Sequence, residues 1–464
     1  MKNKQICDKS MKFEECELAI LRSAVDKAEE RMAKKNVNTP IVKQLIEIVE
    51  NFLSKKKLIC YGGTAINNIL PTHDQFYDLD VEIPDYDFFS PTPLEHAKEL
   101  ADIYHKAGFE EVEAKAGVHY GTFKVFVNFI PVADITLLDK NIFNSIKKDT
   151  ISISGILYSP PNFLRMLAYL ELSRPAGDVS RWEKVMKRLS LLNTHYPMTT
   201  EKCNYSNYQR TFDSNNKELV TKLYEVTKQS FINQGVIFFG GFASFLYSQY
   251  MNKSVRNKFT EQPDFDILSE NAHKTCIILK ERLNDADIND VSIVKRPSLG
   301  EIIATHYEVR VGKDTIAFVY EPLSCHSYNV ITIGKNKIKV ATIDTMLSFY
   351  LAFIYANRPY YDSNRILCMS TFLFYVQQKN RLKQKGLLRR FSISCMGKQH
   401  SLEDIRGEKA NKFKELSSNR NSTEYEMWFL KYRPEEKNKT KKNKKSKNTI
   451  KSKVSSKKTT RKKK

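Results

Sequence analysis

Two aspartates separated by one residue follow a pair of adjacent glycines early in the chain. The glycines are Gly62 and Gly63, and the aspartates are Asp85 and Asp87. On a strand, residues i and i+2 point to the same face, so this spacing presents two carboxylates side by side. Two such charges repel each other unless a divalent cation lies between them. Oxygen ligands of this kind favour Mg²⁺ or Mn²⁺.

An internal repeat distinguishes Asp85 and Asp87 from the other acids nearby. A second double glycine, Gly240–Gly241, precedes the segment PDFDILS, which matches PDYDFFS around Asp85 and Asp87. The first aspartate follows the second glycine by 22 residues in one copy and by 23 in the other. Two further pairs of matching segments follow in the same order. HYGTFKV matches HYEVRV, and SRPAGDVSR then matches NRPYYDSNR. The acids without a counterpart are predicted to be a solvated strand face or loop: Asp74, Asp78, Asp80 and Glu82.

A third carboxylate would let two ions hold both the attacking and the leaving oxygen of a phosphoryl transfer. Asp134, within the apolar run FKVFVNFIPVADITLL, is the best candidate, because an unpaired charge there would be costly. Asp139, beyond that run, is the alternative. The double glycine lies where a strand turns into a helix, and the free N–H groups of a helix N-terminus suit a phosphate. The pattern indicates phosphoryl or nucleotidyl transfer.

The second copy has no obvious third acid. Counting from its HY segment places Glu321 opposite Asp134, whereas an ungapped match of the two strand runs places Val319 there. Phe242 follows the second glycine pair, where Thr64 follows the first, and a bulky ring suits a phosphate turn poorly. We therefore predict that the second site is incomplete and that this copy is a scaffold or an RNA-binding surface.

The helix and strand patterns around these motifs predict an α/β (α+β) fold with two tandem modules. Each module runs from a helix through an apolar strand, a double glycine, a helix and an acidic strand to further strands and a helical section. The predicted divisions are a helical segment 1–37, a catalytic module 38–198, a linker 199–214, a degenerate module 215–396 and a polar region 397–464. Beyond Pro434 the chain has too little apolar surface to fold.

The formal net charge of +22 is concentrated at the C-terminus. The tail from Lys437 to Lys464 holds fifteen Lys or Arg residues and no acid, which leaves +7 for the rest of the chain. Such a tail suits a polyanion, most simply nucleic acid, through counterion release. It is equally explained as a disordered, solvated tail that keeps the protein soluble or serves as a nuclear address.

The eight cysteines include no CxxC motif and no paired ligand set for zinc, so we predict buried thiols in a reducing compartment. The N-terminus has no apolar signal-peptide core. The longest apolar run, near 346–356, is too short to span a bilayer. These features predict a soluble, intracellular protein with no membrane partner.

The order of double glycine, D-x-D and a later single Asp resembles the DNA polymerase beta-like nucleotidyltransferase superfamily. More narrowly, YGGTAINN, PDYDFFSP and FIPVADIT resemble the poly(A) polymerase catalytic subunits of large cytoplasmic DNA viruses, of the poxvirus, asfarvirus and mimivirus type. The resemblance covers most of 38–395. It implies template-independent addition of AMP from ATP to an RNA 3′ end, a degenerate second module, and the following site residues: Asp85, Asp87 and Asp134 for Mg²⁺ or Mn²⁺ and catalysis, and Gly62, Gly63 and Thr64 for the nucleotide.

The implied partners are ATP and the RNA 3′ end, with a homodimer or a processivity partner left open. The implied location is the host cytoplasm, in the viral factory, and the virion. Lys124, beside the acidic strand, and the tail Lys437 to Lys464 are predicted to contact RNA. Two other functions stay open: an RNA nucleotidyltransferase of the uridylyl- or CCA-adding type, and an inactive RNA-binding scaffold.

Overall fold

The computed structural model describes residues 7, 10–37, 39–77, 84–198, 203, 209, 217–259 and 262–435. Three of the acids assigned to a solvated loop therefore lie outside the described residues, namely Asp78, Asp80 and Glu82. The tail from Lys437 to Lys464 and nearly all of the predicted linker 199–214 lie outside them as well.

The described chain contains helices and strands in a mixed order. The helices are α1 (Phe13–Val37), α2 (Pro40–Lys56), α3 (Gly62–Ile69), α4 (Pro93–Lys106), α5 (Lys140–Lys147), α6 (Pro161–Leu172), α7 (Trp182–His195), α8 (Lys217–Asn233), α9 (Gly240–Ser248), α10 (Lys253–Arg256), α11 (Ala272–Asn284), α12 (Ile343–Ile354), α13 (Ser363–Lys379), α14 (Leu402–Leu416) and α15 (Thr423–Phe429). The strands are β1 (Ile59–Cys60), β2 (Tyr86–Ser90), β3 (Val112–Ala116), β4 (Thr122–Val127), β5 (Ile130–Leu137), β6 (Ile151–Ile153), β7 (Ile156–Tyr158), β8 (Ile237–Phe239), β9 (Phe265–Leu268), β10 (Val291–Arg296), β11 (His306–Val311), β12 (Asp314–Tyr320), β13 (His326–Ile333), β14 (Asn336–Ala341), β15 (Cys395–Met396) and β16 (Lys431–Tyr432).

Two mixed sheets of eight strands each organise the part of the chain that the structure describes. Their strand orders are β16-β3-β4-β5-β2-β1-β7-β6 and β10-β11-β12-β9-β8-β14-β13-β15. Apart from one added edge strand in each, β16 and β15, the two orders are the same. The parallel and antiparallel pairings also match, since β2 runs parallel to β5 and β9 runs parallel to β12. The predicted α/β fold with two tandem modules is confirmed.

Helices α2 and α4 cover one face of the first sheet. The α2 helix begins where the Thr39 side chain accepts the Val42 N–H at 3.4 Å, which is an N-cap. Its buried residues include Leu45, Val49 and Phe52, spaced by three or four positions as one helix face requires. Because these helices occupy one face, the polar side chains of the sheet are presented on the other.

A two-residue hairpin joins β4 to β5. Asn128 and Phe129 have φ angles of 49° and 65°, and two positive φ angles are what a type I′ turn needs. The hairpin sets the register that pairs Lys124 with Asp134, with an irregularity after Val125. A local turn therefore decides which side chain faces the predicted third acid.

The chain divides into two compact units whose bounds differ from the predicted domain bounds. The first unit takes in the described parts of Met1–Leu137, Ser152–Tyr158 and Asn411–Lys464, and the second takes in those of Leu138–Ile151 and Ser159–Ala410. Helices α6 and α7, which the sequence places in the catalytic module 38–198, cluster with the second unit, where α6 packs against α12. The domain bounds read from the sequence stay predictions.

The prediction that all cysteines are thiols is wrong for six of the eight. Disulfides join three pairs, Cys7–Cys16, Cys203–Cys368 and Cys325–Cys395, whereas Cys60 and Cys276 are buried thiols. Pairing depends on which cysteines the fold brings within bonding distance, and the second pair is 165 residues apart in sequence. A reducing compartment was inferred from reduced thiols, so that inference loses its basis.

Within the described ranges, no helix is both long enough and apolar enough to cross a membrane. The polar region 397–464, for which the sequence predicted no element, contributes α14, α15 and β16. Of these, β16 pairs antiparallel with β3 and extends the first sheet by one strand.

Candidate active site

The three predicted acids lie on, or next to, two adjacent strands of the first sheet. Asp87 of β2 and Asp134 of β5 are direct partners across two parallel strands, and Asp85 precedes Asp87 by two residues. Burial raises the pKa of Asp85, the negative charge of Asp134 raises it further, and the ammonium of Lys124 lowers it. The fold thus brings together acids that are about 50 residues apart in sequence.

Asp134 forms an ion pair with Lys124. The Lys124 Nζ contacts Asp134 Oδ2, and the two side chains are 37% and 15% exposed. The other oxygen of Asp134, Oδ1, is buried and has no hydrogen-bond partner among the described residues. A buried oxygen in that state is unfavourable, and a bound cation would satisfy it.

The donors fit a hard divalent cation, because all three are carboxylates. Among the residues that the structure describes, no three His, Cys, Asp or Glu side chains close around one point. Instead, Asp134 is turned toward Lys124. A role for Asp85, Asp87 and Asp134 as ligands of Mg²⁺ or Mn²⁺ stays a prediction.

The double glycine provides the turn beside these acids. Gly62 has a φ of +74°, which favours glycine, and a Cβ placed there would lie 2.7 Å from Asp87 Oδ2. The Tyr61 N–H donates to the Asp87 carbonyl oxygen at 3.0 Å, which fixes the turn against β2. Gly63 is buried in the first turn of α3. This close approach explains why glycine is needed at position 62.

Thr64 has a local partner within the site. Its hydroxyl donates to the Asp85 carbonyl oxygen at 2.7 Å, and the residue is 6% exposed. Thr64 therefore ties α3 to the acidic segment and positions Asp85. A contact between Thr64 and a nucleotide stays a prediction.

Two further residues flank the acids and were missed in the sequence. The hydroxyls of Tyr61 and Thr136 lie 2.9 Å apart, and the Tyr61 ring stacks on Phe89 at 3.9 Å between centroids. Burial and then the charge of Asp87 raise the pKa of Tyr61. Their positions in the sequence could have indicated both residues. Tyr61 directly precedes the glycines, and Thr136 is two residues after Asp134 on the same strand face.

The alternative third acid, Asp139, has a structural role. Its Oδ1 accepts the N–H groups of Asn141 and Ile142 at 2.8 Å and 3.4 Å, so it is the N-cap of α5. A carboxylate at that position is common at the start of a helix. Asp134 is thus the acid that pairs with the D-x-D strand.

The second sheet repeats the glycine turn but not the third acid. Gly240 has a φ of +68°, and a Cβ there would collide with Asp266, as one at Gly62 would approach Asp87. In the register of β9 and β12, however, the partner of Asp266 is Phe318. An aromatic ring supplies no metal ligand, so the second site is incomplete.

Both sequence-based choices for this position, Glu321 and Val319, are wrong. Glu321 lies beyond β12, and Val319 pairs with Ile267. The HY segments misled the count, because the residue that occupies the place of Lys124 is Glu308, three residues earlier than the HY match implies. His119 lies before β4, whereas His306 is the first residue of β11, so the two-letter HY match does not mark equivalent places in the two hairpins.

A charge reversal accompanies the loss of the third acid. Glu308 is nearly buried and accepts from Arg296 Nη2 at 2.6 Å and from Arg310 Nε at 2.7 Å. These guanidinium partners lower the pKa of Glu308, although burial alone would raise it. Next to Asp264 and Asp266, the cleft is lined by Tyr350, Tyr361 and Arg365. Aromatic and guanidinium groups thus surround the second acidic pair.

The fold and this site define the chain as one with two tandem α/β modules of the same strand order, the first of which has three acids on or next to two adjacent strands. Residues 47–178 match the family model "Poly(A) polymerase catalytic subunit". The matched range contains Gly62, Gly63, Asp85, Asp87 and Asp134. The resemblance seen in the sequence motifs is confirmed.

Curated viral proteins match about a third of the chain. A "Putative poly(A) polymerase catalytic subunit" of African swine fever virus (strain Badajoz 1971 Vero-adapted) is 34% identical over 171 residues, which is 36% of this chain and 36% of that protein. The protein of the same name from Acanthamoeba polyphaga mimivirus is 35% identical over 161 residues, 33% of this chain and 26% of that protein. The match thus spans about a third or less of these relatives.

A solved structure matches nearly the whole chain. The crystal structure of the Megavirus polyadenylate synthase superposes with a TM-score of 0.76 over 94% of this chain and 88% of that one, at 20% sequence identity. At this identity the likeness shows a shared fold.

Proposed function

We propose that this protein is a template-independent polynucleotide adenylyltransferase that adds AMP from ATP to RNA 3′ ends. One observation carries the proposal: Asp87 and Asp134 are direct partners on parallel strands, with Asp85 two residues before and the Gly62 turn beside them. Carboxylates beside a helix N-terminus suit nucleotidyl transfer. The matches to poly(A) polymerase catalytic subunits support RNA and ATP as the substrates.

Each residue has a definite part in this reaction. Asp85, Asp87 and Asp134 would hold the divalent ions, which when bound lower the pKa of the RNA 3′-hydroxyl and stabilise the pyrophosphate leaving group. The N–H groups after Gly62 receive the triphosphate. The 3′-oxygen forms a bond to the α-phosphorus, the bond to pyrophosphate breaks, and Asp134 accepts the hydroxyl proton.

The test is AMP addition to a short RNA with ATP and Mg²⁺ or Mn²⁺. We expect Asp85→Asn combined with Asp87→Asn to lower the rate by at least about 10³-fold, since several kcal/mol of transition-state stabilisation depend on these ligands. Asp266→Asn, at the equivalent position of the second module, serves as the control and should retain the rate. Tail growth by the double variant at the normal rate would refute the proposal.

A different nucleotide or acceptor is the second candidate, because the acids and the glycine turn are common to adenylyl, uridylyl and CCA addition. Incorporation measured separately with ATP, UTP, CTP and GTP distinguishes these activities. Preference for ATP supports the proposal, and preference for UTP or CTP replaces it.

The proposed partners follow from the same reaction. ATP and the RNA 3′ end would bind at the first module, and the words "catalytic subunit" in the relatives' names favour a further subunit. A homodimer is the other arrangement. We propose the host cytoplasm as the location, by analogy with the viral relatives.

A further inference from the structure

Three lysines form a row across the first sheet, beginning next to the proposed active site. Lys124 of β4 pairs in register with Asp134 on one side and with Lys115 of β3 on the other. Lys115 in turn pairs with Lys431 of β16. Direct cross-strand partners project from the same face of a sheet. Lys124, Lys115 and Lys431, here called the lysine row, therefore extend over three adjacent strands.

This face of the sheet is the open one. On β4 the side chains of Phe123 and Val125 are fully buried, whereas Lys124 and Phe126 between and after them are partly exposed. Lys115 is 41% exposed at its side chain, and its Nζ lies 4.1 Å from the centroid of the Phe126 ring. The face thus combines ammonium groups with an aromatic ring.

The lysine row is unfavourable for the folded chain by itself. Like charges directly opposite each other on a sheet destabilise it. Lys115 has only a loose ion pair with Glu113, at 3.9 Å, and such exposed pairs contribute little. An anion laid across the row would remove the repulsion between Lys115 and Lys431.

The position of the row identifies the anion. Across the sheet, the order is the Gly62 turn after β1, Asp87 on β2, Asp134 on β5 and then the lysine row. The triphosphate is proposed to lie at the glycine turn, on one side of the acids. The row lies on the other side and reaches three strands from Asp134, about 14 Å at the usual spacing.

We infer that the lysine row binds the phosphate backbone of the single-stranded RNA whose 3′ end is at the acids. This inference rests on the proposed function and extends it to residues on β3 and β16. Single strands bind to basic grooves lined with aromatic rings, without sequence preference. The strand β16 is held on the sheet by the Tyr432 hydroxyl, which donates to Asp102 Oδ1 at 2.5 Å. The strand β16 therefore contributes to the surface proposed to bind the RNA.

The test measures equilibrium binding of a short unstructured RNA to the full chain at several KCl concentrations, without ATP or divalent ions. Each phosphate contact adds about 0.7 to the slope of log K against log[salt] for a single strand, so Lys115→Gln with Lys431→Gln should reduce the slope by about 1.4. Between about 50 and about 200 mM KCl, wild-type affinity should then fall about sevenfold more than that of the variant.

Two further variants separate charge from structure. Lys115→Arg with Lys431→Arg keeps both charges and should retain the wild-type slope. Lys43→Gln with Lys106→Gln removes two exposed lysines from α2 and α4, which cover the opposite face, and should retain it too. A reduced slope in the Lys115 and Lys431 Gln variant alone supports the inference.

Equal slopes in all variants, or no binding of RNA by the wild-type chain, would overturn it. In a separate titration with ATP, a loss of ATP affinity by the Gln variant as large as its loss of RNA affinity would also overturn it, because the row would then bind the triphosphate. Catalysis is absent from this assay. A chain that binds RNA through the row but adds no AMP would refute the proposed function and leave this inference standing.

Discussion

At the scale of single residues, the contact between Lys124 and Asp134 is the decisive feature of the first site. It pairs one acid of the three with an ammonium group, and within the described part of the chain Asp134 Oδ1 is left buried without a hydrogen bond. Burial and the charge of Asp134 raise the pKa of Asp85, and Lys124 offsets part of that rise. One ammonium therefore balances the charge that a divalent ion would otherwise balance.

Replacing Lys124 by Gln should tighten the binding of Mn²⁺ in the absence of nucleotide. The lysine competes with the ion for Asp134, and a partly exposed pair of this kind is worth about 1 kcal/mol, or about fivefold in affinity. Titration followed by the electron paramagnetic resonance of free Mn²⁺ measures the change. As a control, Lys98→Gln removes an ion pair with Glu426 at 2.6 Å in the same unit and should leave the affinity unaltered. Weaker Mn²⁺ binding by the Lys124 variant would contradict this account.

At the scale of elements, two connections position the acids. The turn between β1 and α3 brings its glycine against Asp87, and the hairpin between β4 and β5 sets Lys124 opposite Asp134. Parallel pairing of β2 with β5 then places Asp87 beside Asp134. No single element carries the site, and each connection has backbone torsions that few residue types adopt.

Substituting Gly62 by Ala should destabilise the fold and abolish AMP addition. The φ of +74° is strained for a side chain by about 1 to 2 kcal/mol, and the new Cβ would displace Asp87, whose Oδ2 lies 2.7 Å away. Urea unfolding and an AMP-addition assay measure the two effects. Gly108→Ala is the matched control, since its φ is +99° but nothing lies within 4 Å of the added Cβ. It should lose comparable stability and keep its activity. Full activity in the Gly62 variant would show that the turn tolerates a side chain.

At the scale of the whole molecule, the same strand order occurs in two sheets that have different residues at the equivalent positions. The first sheet keeps Lys124 and Asp134 in cross-strand register, whereas the second has Glu308 and Phe318 at the same places. Around the second site, His306 is buried, with Nδ1 2.9 Å from the Ala304 carbonyl and Nε2 3.0 Å from the Tyr360 hydroxyl. His306 is therefore part of the buried core of the second module.

The burial of His306 predicts acid sensitivity of that core. Burial lowers its pKa from 6.5 to about 4. The folded chain then takes up this proton at lower pH than the unfolded chain does. The contribution is therefore fully present above pH 6.5 and is lost as the pH falls toward about 4, by up to about 3 kcal/mol. Unfolding free energies measured across this range should fall less steeply for His306→Gln than for the wild type.

His73→Gln is the control for this pH dependence, because the His73 side chain is 76% exposed. Its unfolding free energy should follow the wild-type dependence on pH. If His306→Gln did the same, the neutral, buried state of His306 would be refuted.

Much of the first site could be predicted from local sequence. The double glycine, the i, i+2 acids and the acid in an apolar strand are short-range patterns. The glycines, Asp87 and Asp134 lie in the elements that these patterns indicate, whereas Asp85 precedes the strand β2. The order of elements also repeats along the chain, so two modules could be inferred before any contact was known. These features depend on neighbours in sequence, whose geometry the backbone restricts strongly.

The tertiary structure alone decided which residues face one another. Phe318 opposite Asp266, Lys431 opposite Lys115 and the disulfide between Cys203 and Cys368 all join distant parts of the chain. A shift of one residue in strand register exchanges the two faces of a sheet. Each of the two hairpins also has an irregularity in register, after Val125 and after Val309. The spacing of motifs along the sequence does not reveal which strands pair or in what register, because turns and packing between strands determine both.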